Sequence, residues 1–421
     1  MFLLGLLLSK SSSAVPFGTF DPRSLAMGGT GVASGTSANA AYYNPALMAR
    51  YKTRKERGNN SSFLLPIISA KASESLETIR TVDSENLDQE LVNSINTFNS
   101  DQSAQNAREV LNAATDLQSN LDDLLNGPVQ GDVIVGMMLG IGHKHEGGAI
   151  IISKRAVGDG AIDNFESDIQ LLEEYVSAME FIESGGNPAD AAAQFPNVVN
   201  TDGTIIDQTG NLTSAAAGSG LIITEIGMAM SKEFTVYGLD IAFGITPKIM
   251  QVITYDFFAE ASTGDSQTVR DDNQDWDINM DFGVTHQIDS KWRTGIVIKN
   301  LRSLNYTTSL GNEIDINPQV RAGVSYDLGR KGLYAFDIDV FENDAVSSGS
   351  NSQVMSLGGE YPVYSYLKLR AGMTRNMKGA GDGNNVLYTV GVHWDFGGIF
   401  DLTAGASDYE KALGLQFGFW F

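Results

Sequence analysis

Cysteine is absent from the 421-residue chain, which removes disulfides, thiol nucleophiles and cysteine-based zinc sites and is compatible with an exported protein that avoids disulfide chemistry. Positive charge is scarce as well. Only 28 Lys and Arg stand against 51 Asp and Glu, a formal net charge of −23. A protein that grips a polyanion needs basic side chains to displace counterions from phosphates, so nucleic acid is not an expected partner. Long hydrophobic runs are also missing. The longest strongly apolar run, Phe2 to Leu8, falls far short of the ~20 residues a membrane-spanning helix requires, which excludes a helical inner-membrane protein. Among the few histidines, His143 and His145 flank Lys144, His286 ends an alternating segment and His393 precedes Trp394. None of these spacings builds a zinc site or a histidine-based triad. The oxygen-rich stretches Asp271 to Asp275 and Gly381 to Asn385 do not follow the ligand register of an EF-hand. Gly28-Gly29-Thr30-Gly31 lacks the flanking strand and helix of a phosphate loop. The reading is a non-enzyme with no catalytic residues, no metal site and no cofactor.

What the chain has is alternation. In Leu413-Gly414-Leu415-Gln416-Phe417-Gly418-Phe419-Trp420-Phe421 large apolar residues occupy every second position, and in a strand those residues share one face. Trp276, Ile278, Met280, Phe282 and Val284 alternate with Asp277, Asn279, Asp281, Gly283 and Thr285, and Phe400, Leu402, Ala404 and Ala406 with Asp401, Thr403, Gly405 and Ser407. Val320, Ala322, Val324 and Tyr326 interleave with Arg321, Gly323, Ser325 and Asp327 in the same way. Charged residues thus stand where a soluble sheet would place its core, the pattern of a barrel with lipid outside and a polar lumen. Fourteen such segments run from 61–70 to 411–421. Short connections, among them Lys232-Glu233, Pro362-Val363 and Gly397-Gly398, alternate with long ones near 71–130, 157–219, 248–274, 302–317, 343–351 and 376–384, as periplasmic turns and external loops should. Ile249 to Ala261 either extends the fifth strand or forms a loop hairpin.

The expected fold is therefore an all-β transmembrane antiparallel barrel of about fourteen strands with an N-terminal plug and helical external loops. Residues 1–14 read as a secretory signal, 15–60 as a plug or hatch segment and 61–421 as the barrel, in the bacterial outer membrane. Phe417, Phe419 and terminal Phe421 look like the aromatic ending recognised by the barrel-assembly machinery. Outer-membrane lipid and lipopolysaccharide are the other expected partners, together with an apolar ligand or detergent in the lumen.

The two longest loops carry helical spacing. Leu87, Leu91, Ile95 and Phe98, then Val110, Leu111, Leu117, Leu121, Leu124 and Leu125, predict two amphipathic helices, and Asp168 to Glu183 a third, with Leu172, Tyr175 and Met179 on its apolar face. Two roles are open. These faces bound a hydrophobic ligand cavity above the plug, with Leu117, Leu121, Leu124, Leu125, Leu172, Tyr175 and Met179 as its lining, or they pack on one another as a cap.

Ahead of the first strand lie Phe17-Gly18-Thr19-Phe20-Asp21-Pro22-Arg23-Ser24-Leu25-Ala26-Met27-Gly28-Gly29-Thr30-Gly31-Val32-Ala33 and Ala41-Tyr42-Tyr43-Asn44-Pro45-Ala46. With them the chain resembles the FadL-like superfamily of outer-membrane proteins. That superfamily's long-chain fatty-acid and hydrocarbon transporters hold an N-terminal hatch with an Asn-Pro-Ala motif inside a fourteen-stranded barrel. The run Arg23 to Ala33 followed by Asn44-Pro45-Ala46 is also similar to the TraF-like conjugal-transfer branch. The resemblance implies that Asn44, Pro45 and Ala46, with Gly28, Gly29 and Gly31, belong to a hatch. It implies passive uptake of hydrophobic small molecules or, along the TraF-like branch, an interaction platform for conjugal transfer or surface assembly with no translocated substrate.

Overall fold

The computed structural model describes residues 15–49, 61–76, 78–79, 86–125, 129–143, 145–163, 165–260, 266–270, 274–347, 351–378 and 386–421. The expected signal segment and the two oxygen-rich loop stretches, save Gln274 and Asp275, lie outside them. In chain order the strands begin with β1 (Ser61–Ser73), β2 (Val129–His143), β3 (Glu146–Asp163), β4 (Ala215–Val236), β5 (Leu239–Glu260) and β6 (Ser266–Arg270). Then follow β7 (Asp275–Gln287), β8 (Trp292–Lys299), β9 (Leu304–Thr307), β10 (Glu313–Ile316), β11 (Gln319–Asp327) and β12 (Leu333–Asp339). The last are β13 (Val354–Tyr364), β14 (Leu367–Asn376), β15 (Val386–Asp395), β16 (Ile399–Ala406) and β17 (Glu410–Trp420). Among the described residues, fourteen of these close into an antiparallel barrel, with β17 paired to β1 and β4 to β5. β6 extends the β5 edge outside the ring, and β9 pairs only with β10. Closure leaves no strand edge to protect.

The period-two pattern has the sense expected from the sequence. In β17, Ala412, Gly414, Gln416 and Gly418 are buried against the lumen while Leu413, Phe417 and Phe419 are exposed outside. In β7, Asn279, Asp281 and Thr285 point inward and Trp276, Ile278 and Met280 outward. An apolar exterior over a polar interior inverts a soluble protein and suits a hydrocarbon surround. Exposed aromatics gather where the connections are short, with Trp292, Tyr334, Tyr361, Tyr364, Tyr366, Trp394 and Phe396 flanking the tight turns. Such amphipathic rings mark the depth of a membrane interface.

Two turns differ from the sequence reading. Lys232 and Glu233 lie inside β4, and the hairpin reverses at Tyr237-Gly238, both in the left-handed region with φ 52° and 79°. That is the primed geometry matching strand twist, and glycine supplies it without steric cost. Pro362 and Val363 belong to β13, which turns at Ser365-Tyr366. Ile249 to Glu260 continues β5, so β4 and β5 reach 22 residues each against 8 in β8. A strand needs only ~9–11 residues to cross a bilayer, so this side of the wall stands well above it on the long-loop side.

On that side the two long loops form α3 (Leu87–Ser100), α4 (Ala104–Leu125) and α5 (Phe165–Glu183), with the short α6 (Pro188–Ala191), the labels α1 and α2 being kept for Pro22–Ala26 and Ala40–Tyr43 inside the barrel. Their apolar stripes share one core. The Asp168 carboxylate ties α5 to the foot of β4 by accepting from the Thr213 and Ser214 N–H groups at 2.8 and 2.6 Å.

Barrel closure generates a prediction. Deleting the last three residues removes the Phe63–Phe419 ring contact at 5.6 Å and the Phe421 N–H bond to the Ser61 carbonyl at 3.0 Å. These groups contribute on the order of 2–4 kcal/mol to the seam. Heat-modifiable, folded barrel in the membrane fraction should fall at least severalfold; undiminished amounts would reject a role for Phe419 and Phe421 in assembly.

Candidate functional site

Residues 15–49 fill the barrel as a plug, and nearly all of them are buried. Their regular structure is slight: α1, capped by the Asp21 carboxylate accepting from the Arg23 and Ser24 N–H groups at 3.0 and 3.2 Å, then α2 and the 3₁₀ turn Pro45–Ala49. Such a chain leaves many backbone groups without local partners, and buried ones must find them elsewhere. The wall supplies them. Thr403 Oγ1 donates to the Pro22 carbonyl at 2.7 Å, Ser325 Oγ to that of Ala33 at 2.9 Å, and Thr389 Oγ1 to that of Ala26 at 3.2 Å. The Asp337 carboxylate accepts from the Gly31 and Val32 N–H groups at 2.7 and 2.9 Å.

Close approach is what allows these bonds. A Cβ at Gly295 of β8 would meet the Val32 carbonyl oxygen at 2.5 Å, and Cβ atoms at Gly244, Gly283, Gly358 and Gly372 would overlap Ala46, Asn44, Met27 and Gly28. Gly28 and Gly29 themselves have φ 68° and 89°, a turn that L side chains rarely adopt. Asn44 joins plug to wall. Its Nδ2 donates to the Val32 carbonyl at 3.0 Å and to that of Val284 at 3.3 Å, and its Oδ1 accepts from the Ala46 N–H at 3.1 Å. All six hatch residues named from the sequence therefore lie inside the barrel.

A charged network holds the plug near the short-turn end. Arg23 pairs with Glu360 at 3.1 Å, and Glu360 also takes Arg370 at 2.8 Å and Lys368 at 3.1 Å. Arg370 continues to Asp401, which accepts from Gln416 at 3.1 Å and meets His393 Nδ1 at 3.0 Å. This histidine is a lumen group in an ion network.

Above the plug lies a cavity of about 30 Å³. Val15, Ile134, Ile223, Met250 and Ile316 give it apolar walls. Its polar groups come from the inward phase of the strands: Arg155 bonded to both oxygens of Asp132 at 2.8 and 2.9 Å, and Lys248 held by Glu225 at 2.9 Å and Asp281 at 3.1 Å. Lys299 differs. Its ammonium lies over the rings of Tyr42 at 3.4 Å and Phe17 at 4.9 Å, and among the described residues no carboxylate stands within ion-pair distance of it. The β9–β10 hairpin roofs the cavity, with Leu304, Tyr306, Ile314 and Ile316 packed on Val15, Ile223 and Met250.

The leucines expected to line a ligand cavity lie elsewhere. Leu117, Leu121, Leu124, Leu172, Tyr175 and Met179 are buried against one another in the external helical core, and Leu125 ends α4. Tyr175 anchors the segment after α6, donating to the Ile206 carbonyl and accepting from the Gln208 N–H at 2.9 Å, and burial pushes its hydroxyl above the ordinary tyrosine range. Sequence reasoning did not single out Lys299, Arg155 or Lys248. The available signal was a charged side chain on the inward phase of an alternating strand, the signal that had flagged Arg321 and Asp281. Among the described residues no three His, Asp or Glu side chains are grouped to hold a metal ion.

Comparison with known proteins now bears on these features. A family model described as "F plasmid transfer operon, TraF, protein" matches residues 41–340. No curated protein sequence matches the chain. Similar solved structures include the toluene transporter TbuX of Ralstonia pickettii, 10% identical over 96% of this chain and 98% of that one, with a TM-score of 0.53. A Pseudomonas aeruginosa FadL homologue is 9% identical over 97% and 98%, at 0.48, and the Pseudomonas putida toluene transporter TodX 10% identical over 97% and 99%, at 0.46. At these identities the likeness to TbuX is one of fold, whereas the family match spans well over half of the chain. The chain belongs to the TraF family of F plasmid transfer operon proteins, built on a plugged fourteen-stranded barrel.

Proposed function

We propose that this protein is an outer-membrane channel for passive uptake of hydrophobic small molecules such as long-chain fatty acids or hydrocarbons. The observation that carries the reading is the cavity above the plug, lined about equally by apolar side chains such as Ile223, Met250 and Ile316 and by polar ones such as Arg155, Glu225 and Lys248. In it the Lys299 ammonium has no carboxylate partner among the described residues. Ligand pockets are mostly apolar with a few placed polar groups. A fatty acid would lay its carboxylate on Lys299 and its chain along Ile223, Met250 and Ile316, each buried methylene contributing ~0.8 kcal/mol. The apolar outer band and the aromatic girdle support the outer-membrane location, and the fold is like that of a protein described as a toluene transporter. Binding and diffusion suffice for such a role, without a catalytic group.

A second reading follows from the family description and the external helices, whose apolar faces are spent on their own core. In it the helical unit is a docking surface for conjugal transfer or surface assembly, and nothing is translocated.

Uptake of a labelled long-chain fatty acid by cells with and without the protein separates the two, since equal uptake would sink the channel reading and leave the platform. In purified protein, a fatty acid should bind saturably at micromolar concentration or tighter. Lys299→Met should weaken fatty-acid binding about tenfold or more, a charge-assisted bond being worth ~1.5–3 kcal/mol, while leaving alkane binding unchanged. Loss of both in equal measure would point to misfolding of the site, and loss of neither would remove Lys299 from it. Deleting Val15–Ala49 should raise the single-channel conductance of reconstituted protein severalfold, because the segment fills the lumen; unchanged conductance would show that the plug does not obstruct the path.

A further inference from the structure

The cavity, at about 30 Å³, has room for about two waters, whereas small-molecule sites typically occupy ~300–1,000 Å³. A ligand therefore reaches Lys299 only after part of the surround moves. The plug is seated by hydrogen bonds to several strands and by the Arg23–Glu360 ion pair, and the wall is one continuous ladder. The roof is built differently. The β9–β10 hairpin hydrogen-bonds to itself as a separate two-stranded sheet and shares no strand pairing with the barrel.

Its polar attachments gather at the tip, midway and at the foot, and they are mostly made by side chains. At the tip, the Asp256 carboxylate on β5 accepts from the Leu310 N–H at 3.1 Å and from Asn312 Nδ2 at 3.0 Å, while Asn312 also reaches Ser219 Oγ at 3.0 Å. Midway, Tyr306 donates to Asp277 at 2.9 Å. At the foot, Asn300 has φ 55° and its N–H bonds Asp281 at 2.9 Å, and the Leu301 N–H donates to the Met280 carbonyl at 2.9 Å. The Asn279 amide accepts from the Arg302 N–H at 3.1 Å and donates to its carbonyl at 2.8 Å, and Arg302 pairs with Asp277 at 3.4 Å. This tied foot directly follows Lys299, so the fixed end of the hairpin lies beside the residue that carries the ammonium.

We propose that the β9–β10 hairpin is a hinged lid over the luminal cavity, with Asp256 as the latch at its tip and the tied foot at Asn300 to Arg302 as the fixed end about which it moves. The lid rests on the uptake reading and supplies the access route that reading requires. Ligand arriving from the long-loop side displaces Leu310 and Asn312 from Asp256, lifts Ile316 off the cavity and meets Lys299 at the hinge.

The chain has no cysteine, so introduced thiols report without background. Ile316→Cys in the full-length protein places a thiol at a buried roof position. A water-soluble maleimide should label it slowly, and about tenfold faster or more when Asp256→Ala removes the latch, with Asp256→Asn, which keeps the shape, also faster than the parent. Equal rates in all three, with heat-modifiability confirming folded barrel, would overturn the lid. Separately, Ser219→Cys with Asn312→Cys should form a disulfide that fastens the tip. The oxidised form should lose saturable binding of a labelled long-chain fatty acid and recover it on reduction. Equal binding in both forms would overturn the lid while leaving uptake intact. Absence of binding in the reduced form would overturn uptake instead, and the labelling rates, which need no ligand, would still decide whether the hairpin opens.

Discussion

The plug is a buried segment with little secondary structure of its own, and the backbone donors and acceptors that its own turns and caps leave over must be satisfied by the wall around it. That requirement shapes the lumen. Glycines at inward positions of β5, β7, β8, β13 and β14 let plug backbone come to the wall without a side chain between them, and threonine, serine and aspartate at neighbouring inward positions supply the bonds. A bulkier inward residue at Gly283 or Gly295 would displace Asn44 or the Val32 carbonyl and with it the bonds that orient the Pro45–Ala49 turn. The Asn-Pro-Ala motif meets Gly244, Gly283 and Gly295, while Gly358 and Gly372 receive Met27 and Gly28.

From this seating follows the layering of the interior. The plug and its ion network, from Arg23 through Glu360 and Arg370 to Asp401, occupy the short-turn end. The charged but nearly balanced cavity sits on top, then the β9–β10 roof, and over the long loops the helical unit with its own core. Lys299 stands out within this order because every neighbouring cation, Arg155 and Lys248 included, already has a carboxylate. A cation held only by aromatic faces in a site with apolar walls favours an amphipathic anion over a fully polar solute.

Reading the sequence located the barrel because period-two alternation is local, and a lipid surround makes it one-sided in the fourteen barrel strands. Its faults were at turns. Tyr237-Gly238 was passed over for Lys232-Glu233, since charge suggested a loop where the left-handed geometry of a tight hairpin actually needed glycine. The external helices were legible from the spacing of Leu87, Leu91, Ile95 and Phe98, yet the same spacing serves a ligand-lined groove and a helix-packed core equally well. Only the arrival of α5 against α4 shows that Leu117, Leu121, Leu172 and Met179 face one another.

The sequence by itself determined the class of fold, the number of barrel strands and the sense of each strand, because these depend on neighbours two to four residues apart, while the hatch was implied by resemblance to a family. Tertiary structure alone decided which inward residues meet. Asn44 reaches Val284, Lys299 reaches Tyr42 and Asn312 reaches Asp256 across separations of 240, 257 and 56 residues. Nothing in a local pattern encodes such encounters, which arise only when the closed ring fixes strand register and brings plug, wall and roof to the same height.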